Sequence, residues 1–256
     1  MPPPRCSTRT RLELIETVAE IPSTNGAMLS RLAGGEALAE GHWLVADCQS
    51  AGRGRAGRVW SDGFGNFMGS TAVNLRAADP LPQTLALVAG LAVHEAVQEC
   101  APALPELLLK WPNDLLAGDA KLAGILLERQ GDTVVVGVGV NLAQAPQVPG
   151  RATACLNDLG FAVSRDDFAV TLAARFLDAV ARWHVGEWPL LREQWRARAL
   201  PRGPLWTGKD REQGEIMGAF GGVDEDGVAL LRLADGEVRA IHAGDMEMVG
   251  SHASGG

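Results

Sequence analysis

Residues 136–141 read Val-Gly-Val-Gly-Val-Asn, and few architectures can accommodate such a run. Side chains alternate faces along a strand, so Val136, Val138 and Val140 fall on one side and Gly137, Gly139 and Asn141 on the other. One face is therefore branched and apolar, while the other is bare backbone ending in an amide. Both faces have to be covered: the valines by a core, the glycines by something that approaches the backbone closely. A tightly packed helix satisfies this, and so does a flat ligand. The segment alone does not separate the two.

The rest of the chain supplies a sheet for this strand. Strand-like runs are expected at Leu12 to Ile21, Trp43 to Ala46, Asn66 to Leu75, Leu107 to Trp111, Leu115 to Ala117, Lys121 to Arg129 and Thr133 to Leu142. Turns at Gly118-Asp119 and Gly131-Asp132 make the last of these a β-meander. Ser23-Thr24-Asn25 opens a helix through Met28, Leu29 and Leu32 that Gly34-Gly35 ends. Leu85, Val88, Leu91 and Ala92 keep helical spacing up to about Cys100, and Ser164 caps a long helix carrying Phe168, Leu172, Phe176, Val180 and Trp183. Beyond Pro201 and Pro204 come four short β-prone runs, Gly214 to Phe220, Val228 to Leu233, Val238 to Ile241 and Met246 to Val249, with Asp-Gly turns at 226–227 and 235–236. The expectation is an α+β fold: a mixed sheet with helices packed on it over residues 12–200, then a small β-barrel over 201–250.

Composition narrows the function. With 46% hydrophobic residues in 256 there is ample material for a core, and no apolar run approaches the roughly 18 residues of a membrane span. A net charge of −8 argues against a surface built to hold a polyanion, so any basic cluster needs a local explanation. Cys6, Cys48, Cys100 and Cys155 are far apart, which suggests neither a disulfide framework nor a thiolate metal site. His42, His94, His184, His242 and His252 form no HExxH motif. The start, Met1 to Arg11, has prolines and arginines but no apolar core of a secretory signal and reads as a loose tail; a cytoplasmic protein is expected.

Four segments carry chemistry. Gln49 to Trp60 alternates Arg53, Arg55 and Arg58 with Gly52, Gly54 and Gly57, a backbone able to wrap a ligand while guanidinium groups reach its oxyanions. Without a following Gly-Lys-Ser/Thr it is no P-loop, and its place between two apolar strands suits a substrate loop better than an RNA-binding tail. Lys110-Trp111-Pro112-Asn113-Asp114 puts a flat ring, an amide and a carboxylate at one kink. Lys121 opens an otherwise apolar strand and must either snorkel or meet an anion; Gly124, three residues on, tilts the balance toward a ligand. The fourth is the bare face at Gly137, Gly139 and Asn141.

In this order the segments resemble the biotin–protein ligase family, from Ser23-Thr24-Asn25 through Gly52-Arg53-Gly54-Arg55, Lys110 to Asp114 and Lys121 to Gly124 to the 137–141 run. The resemblance implies a catalytic domain of the class II synthetase kind followed by an SH3-like barrel. It also implies ATP-dependent formation of biotinyl-5′-AMP, with Mg accompanying ATP, and transfer of biotin to a lysine of a biotin carboxyl carrier protein. Lys121, Arg55 and Asp114 would then be catalytic, Asp114 orienting the acceptor lysine or the metal, with no metal held by protein alone. Ser23, Thr24, Asn25, Gln49, Gly52, Arg53, Gly54, Arg55, Lys121 and Gly124 would bind biotin. Arg55, Arg58, Trp60, Lys110, Asn113, Lys121 and Asn141 would surround the nucleotide. Ala56 departs from the polar or basic residue frequent there, and the residues before Ser23 are too few for a helix-turn-helix, so a ligase that binds neither nucleic acid nor membrane is expected. Lipoate or octanoate transfer by the same superfamily, and RNA binding through Arg53 to Arg58, are the rival readings.

Overall fold

The computed structural model describes residues 14–61, 63–104, 106–200, 205–210, 214–241 and 243–248. The tail before Leu14, Cys6, the linker prolines Pro201 and Pro204, His242 and His252 lie outside them.

Seven strands form one mixed sheet: β1 (Ile15–Ile21), β2 (Trp43–Gln49), β3 (Phe67–Asn74), β4 (Leu107–Lys110), β5 (Asp114–Ala117), β6 (Ala120–Gln130) and β7 (Thr133–Val140). Their order is β1-β2-β3-β7-β6-β5-β4. Only β1 and β2 run parallel, because α1 (Thr24–Ala33) crosses between them. Ser23 is its N-cap and accepts from the Gly26 amide.

The two faces of the sheet are unequal. Val134, Val136, Val138 and Val140 are buried in the main core with α2 (Leu85–Cys100) and α3 (Arg165–His184). Val135 turns the other way and joins Met28, Leu38, Leu44 and Ala72 beneath α1. On α2 a continuous run from Leu87 to His94 is buried, as expected of a helix with sheet on one side and helix on the other. Trp43 knits the layers by edge contacts to Phe67 at 5.8 Å and Phe176 at 5.4 Å, and each large ring contributes about 1.5–3 kcal/mol through burial. His94 is 8% exposed, and its Nε2 donates to the Leu107 carbonyl at 3.2 Å. Burial, helped by the Arg198 charge, holds its pKa down at about 4, so the ring stays neutral.

The expected elements are present with ends shifted by a few residues. One helix was not anticipated: α4 (Trp188–Arg198) follows α3 after three residues and buries Trp188, Leu191 and Trp195. A further strand, β8 (Leu205–Asp210), precedes β9 (Gly214–Val223), β10 (Ala229–Arg232), β11 (Val238–Ile241) and β12 (Ala243–Met248). These five form an antiparallel sheet of order β11-β10-β9-β8-β12, which curls until Ile241 lies against Gly208. The small sheet rests on the large one through two indoles: Trp111 Nε1 donates to the Gly227 carbonyl at 3.0 Å and Trp188 Nε1 to that of Glu225 at 2.6 Å. Gly227 takes φ +76°, and a Cβ there would meet Leu87 at 3.3 Å.

Candidate active site

On the α1 side of the sheet the bare face of β7 floors a cleft of about 1040 Å³ that is open to solvent. Register sets the floor: Gly139 pairs with Gly124 of β6, and Gly137 with Ser70 of β3. A Cβ on Gly137 would come within 2.3 Å of Asn25 Oδ1, and one on Gly139 within 2.4 Å of the Trp60 ring. Both expected coverings are thus filled from within the protein: the α1 helix start closes over Gly137, and the indole of Trp60 lies flat on Gly139 and Gly124.

One end of the cleft is densely hydrogen-bonded. Gln49 Oε1 accepts from the Thr24 amide at 2.7 Å and lies 3.2 Å from its hydroxyl. Ser70 Oγ is 2.7 Å from Thr24 Oγ1 and 2.5 Å from Asn25 Oδ1, which can only accept. Asn25 Nδ2 donates to Glu128 Oε2 at 2.9 Å, and Arg53 reaches the same oxygen at 3.0 Å. Arg53, expected among the anion-binding cations, is therefore turned toward α1 and β6.

The middle of the cleft is ionic. Lys121 Nζ meets Asp114 Oδ1 at 2.5 Å, with side chains only 16% and 11% exposed, and Arg151 Nη1 stands 3.8 Å from the other carboxylate oxygen. The same ammonium lies 5.7 Å from the Trp60 ring centre, a cation–π distance. Strands β5 and β6 are neighbours in the sheet, which is how residues seven apart come to face each other. Arg55 Nη1 donates to Asn113 Oδ1 at 3.2 Å, while Asn113 Nδ2 donates to the Ile125 carbonyl at 2.7 Å. The arginine–glycine segment that delivers Arg55 is a miniature hairpin, with Trp60 N bonded to Gly52 O at 3.0 Å and Gly54 N to Arg58 O at 2.7 Å. Its tip needs two left-handed residues, Ala56 at φ +54° and Gly57 at φ +73°.

At the far end stands Asn141, 1% exposed. Its Nδ2 donates to the Ala154 carbonyl at 3.0 Å, but its Oδ1 has no partner among the described residues, and neither has the buried Nε1 of Trp60. Pro146, Val148, Arg151 and Thr153 complete that wall.

The cleft thus gathers Ser23, Thr24, Asn25, Gln49, Arg53, Gly54, Arg55, Arg58, Trp60, Asn113, Asp114, Lys121, Gly124 and Asn141. Gly52 stands behind it, pressed against the Trp60 carbonyl, and Lys110 points to the small sheet, 5.7 Å from the Trp206 ring. Sequence reasoning missed Ser70, Glu128 and Arg151, which have meaning only once the strands are paired. Among the described residues no group of three His, Cys, Asp or Glu could hold a metal ion, and no helix is long and apolar enough to cross a membrane.

Comparison with known proteins places this fold and cleft among the cofactor-attaching ligases. Residues 19–142 match the biotin/lipoate A/B protein ligase family, and residues 207–249 match the biotin protein ligase C-terminal domain. The chain is 36% identical over 227 residues to the biotin–[acetyl-CoA-carboxylase] ligase of Paracoccus denitrificans, covering 84% of this chain and 92% of that one. To the enzyme of the same name from Mycobacterium tuberculosis it is 35% identical over 237 residues, 91% and 88% of the two chains. The structure of a biotin protein ligase from Aquifex aeolicus in complex with biotin and ATP superposes with a TM-score of 0.78 at 26% identity, covering 91% and 97%. The chain belongs to the biotin protein ligase family.

Proposed function

We propose that this chain activates biotin with ATP and passes it to a lysine of the biotin carboxyl carrier protein of acetyl-CoA carboxylase in the cytoplasm. One observation carries the reading: Arg55 and Lys121 line the same cleft between a densely hydrogen-bonded end and an end holding an unpartnered amide oxygen. Ser23, Thr24 and Gln49 suit the ureido head of biotin, which both donates and accepts. Its carboxylate then lies among the cations. In the first step a carboxylate oxygen attacks the α-phosphorus of ATP, the P–O bond to the leaving group breaks, and pyrophosphate departs. Two anions meet in that step, and fixed positive charge held beside them lowers its barrier. In the second step the acceptor amine attacks the biotinyl carbonyl and AMP leaves with the bonding pair, Lys121 still polarising the carbonyl.

Asn141 Oδ1 is suited to an amino group of the base, with Trp60, Arg58 and Asn113 around the nucleotide. Asp114, expected to orient the acceptor lysine or a metal, is engaged by Lys121; we assign it to holding that ammonium in place. Mg is taken to arrive with ATP, and Asp114, the carboxylate expected to meet it, is engaged by Lys121 at 2.5 Å. We take residues 12–200 as the catalytic domain and 201–250 as a C-terminal one, with no part for nucleic acid or membrane.

Incubating the protein with biotin, MgATP and a carrier domain should add one biotinyl group to one lysine, read by mass spectrometry. Absence of both the adduct and biotin-dependent pyrophosphate exchange would sink the reading. A lipoate ligase would be stabilised by lipoate and not by biotin in a thermal-shift comparison, and an RNA-binding module would retain RNA on a filter.

A further inference from the structure

Asn66 belongs to none of the motifs above and does not line the cleft, yet it is 2% exposed and both ends of its amide are bonded. Its Oδ1 accepts from three consecutive backbone amides, Leu142 at 3.0 Å, Ala143 at 2.9 Å and Gln144 at 3.1 Å. Its Nδ2 donates to the Gln144 carbonyl at 2.8 Å, and Gln144 Nε2 returns a bond to the Phe64 carbonyl at 3.3 Å. The surrounding backbone is shaped for it. A Cβ on Gly63 would lie 2.3 Å from Asn66 Nδ2, and one on Gly65, at φ +84°, would lie 2.9 Å from Ala143 Cβ.

The anchored segment is the one that leaves β7 and frames the far end of the cleft. It carries Pro146, Val148, Arg151 and Thr153 along that wall, and it returns beside the reactive lysine: Lys121 N donates to Ala152 O at 2.9 Å and Ala154 N to Lys121 O at 3.0 Å. Thr153 Oγ1 ties it internally to the Pro146 carbonyl at 2.6 Å. Asn141 holds the return leg through Ala154, and Asn66 holds the outgoing one. The segment therefore has one side-chain staple at each leg, and the outgoing staple comes from the residue just before β3, on the strand that follows the arginine–glycine hairpin.

We propose that Asn66 is a positioning residue for the nucleotide: it fixes the wall from Pro146 to Thr153 relative to Lys121 and leaves the biotin end untouched. This rests on the assignment of the far end to ATP. Removing the amide leaves three backbone N–H groups without their acceptor, which no neighbouring side chain replaces except through movement of the segment.

The test is steady-state biotin-dependent pyrophosphate exchange by wild type, Asn66→Ala and Asn66→Asp, with trypsin cleavage after Arg151 followed in parallel without substrates. For Asn66→Ala we expect the KM for ATP to rise about tenfold, the KM for biotin to stay within about twofold, and cleavage after Arg151 to accelerate several-fold. Asn66→Asp keeps the acceptor for the three amides but sets a second acceptor and a charge against the Gln144 carbonyl, so it should fall between alanine and wild type on both readouts. Equal changes in the two KM values, or unchanged cleavage, would overturn the proposal. If wild type shows no exchange at all, the functional reading fails on its own, while the cleavage rates still decide whether Asn66 pins the segment.

Discussion

Lys121 is held between a carboxylate and an indole, so replacing it removes more than a charge. Lys121→Ala should reduce adenylate formation to near background, because the developing charge at the α-phosphorus loses its nearest cation. It also leaves Asp114, 11% exposed, facing only Arg151 at 3.8 Å, and a stranded carboxylate costs on the order of 1–3 kcal/mol. Adding Asp114→Asn should therefore recover the lost melting temperature but none of the activity. Recovery of pyrophosphate exchange by the double variant would place the chemistry elsewhere. Arg55 bonds Asn113, an amide that is itself anchored on β6. Arg55→Gly should still form adenylate but release it, giving free biotinyl-AMP and biotin on bystander lysines; a variant that makes no adenylate would put Arg55 in the chemical step.

The arginine–glycine hairpin is held by backbone bonds across its own two legs and few apolar anchors, and Val59 near its end is 79% exposed. Tryptic cleavage after Arg53, Arg55 or Arg58 should slow when biotin is added, because a ligand spanning the cleft ties both legs to the floor. Equal rates with and without biotin would count against that ordering. Helix α2 carries a pH dependence of its own. His94 has a folded pKa near 4 against 6.5 in a free histidine, so the unfolded chain takes up the proton first as pH falls. Its contribution is complete above pH 6.5, declines from there down to about 4, and amounts to no more than about 3 kcal/mol. Denaturation of His94→Leu should show a flatter stability profile across that window; a slope as steep as wild type would assign the effect to another group. Elements with strong periodicity, such as β7 and α3, were legible from sequence because one face of each is uniformly apolar. Helix α4 was not, since only Trp188, Leu191 and Trp195 of its eleven residues are buried, too short an apolar stripe to stand out. The cations of the cleft were legible as types and not as pairs: that Arg53 goes to Glu128 and Lys121 to Asp114 depends on strand register, which no local pattern records.

At the scale of the molecule the two sheets share one continuous core, in which Trp195 of α4 meets Phe220 of β9 edge-on at 6.4 Å. Trp111 belongs both to the junction and to the kinked pentapeptide that delivers Asn113 and Asp114. Trp111→Phe keeps an aromatic ring, though a smaller one, and deletes the bond to Gly227, and should lower stability by at least about 1 kcal/mol in chemical denaturation. Unchanged stability would show that the bond is idle. The two indole bonds at this junction end on main-chain carbonyls, of Glu225 and Gly227. Carbonyls carry no side-chain identity, so the seam reads the shape of one turn and is indifferent to most of the letters that spell it. For protein engineers the C-terminal sheet is consequently an exchangeable cassette: a graft from a distant relative should dock if it keeps a glycine at the left-handed position, the same turn length and an apolar face to meet Trp195.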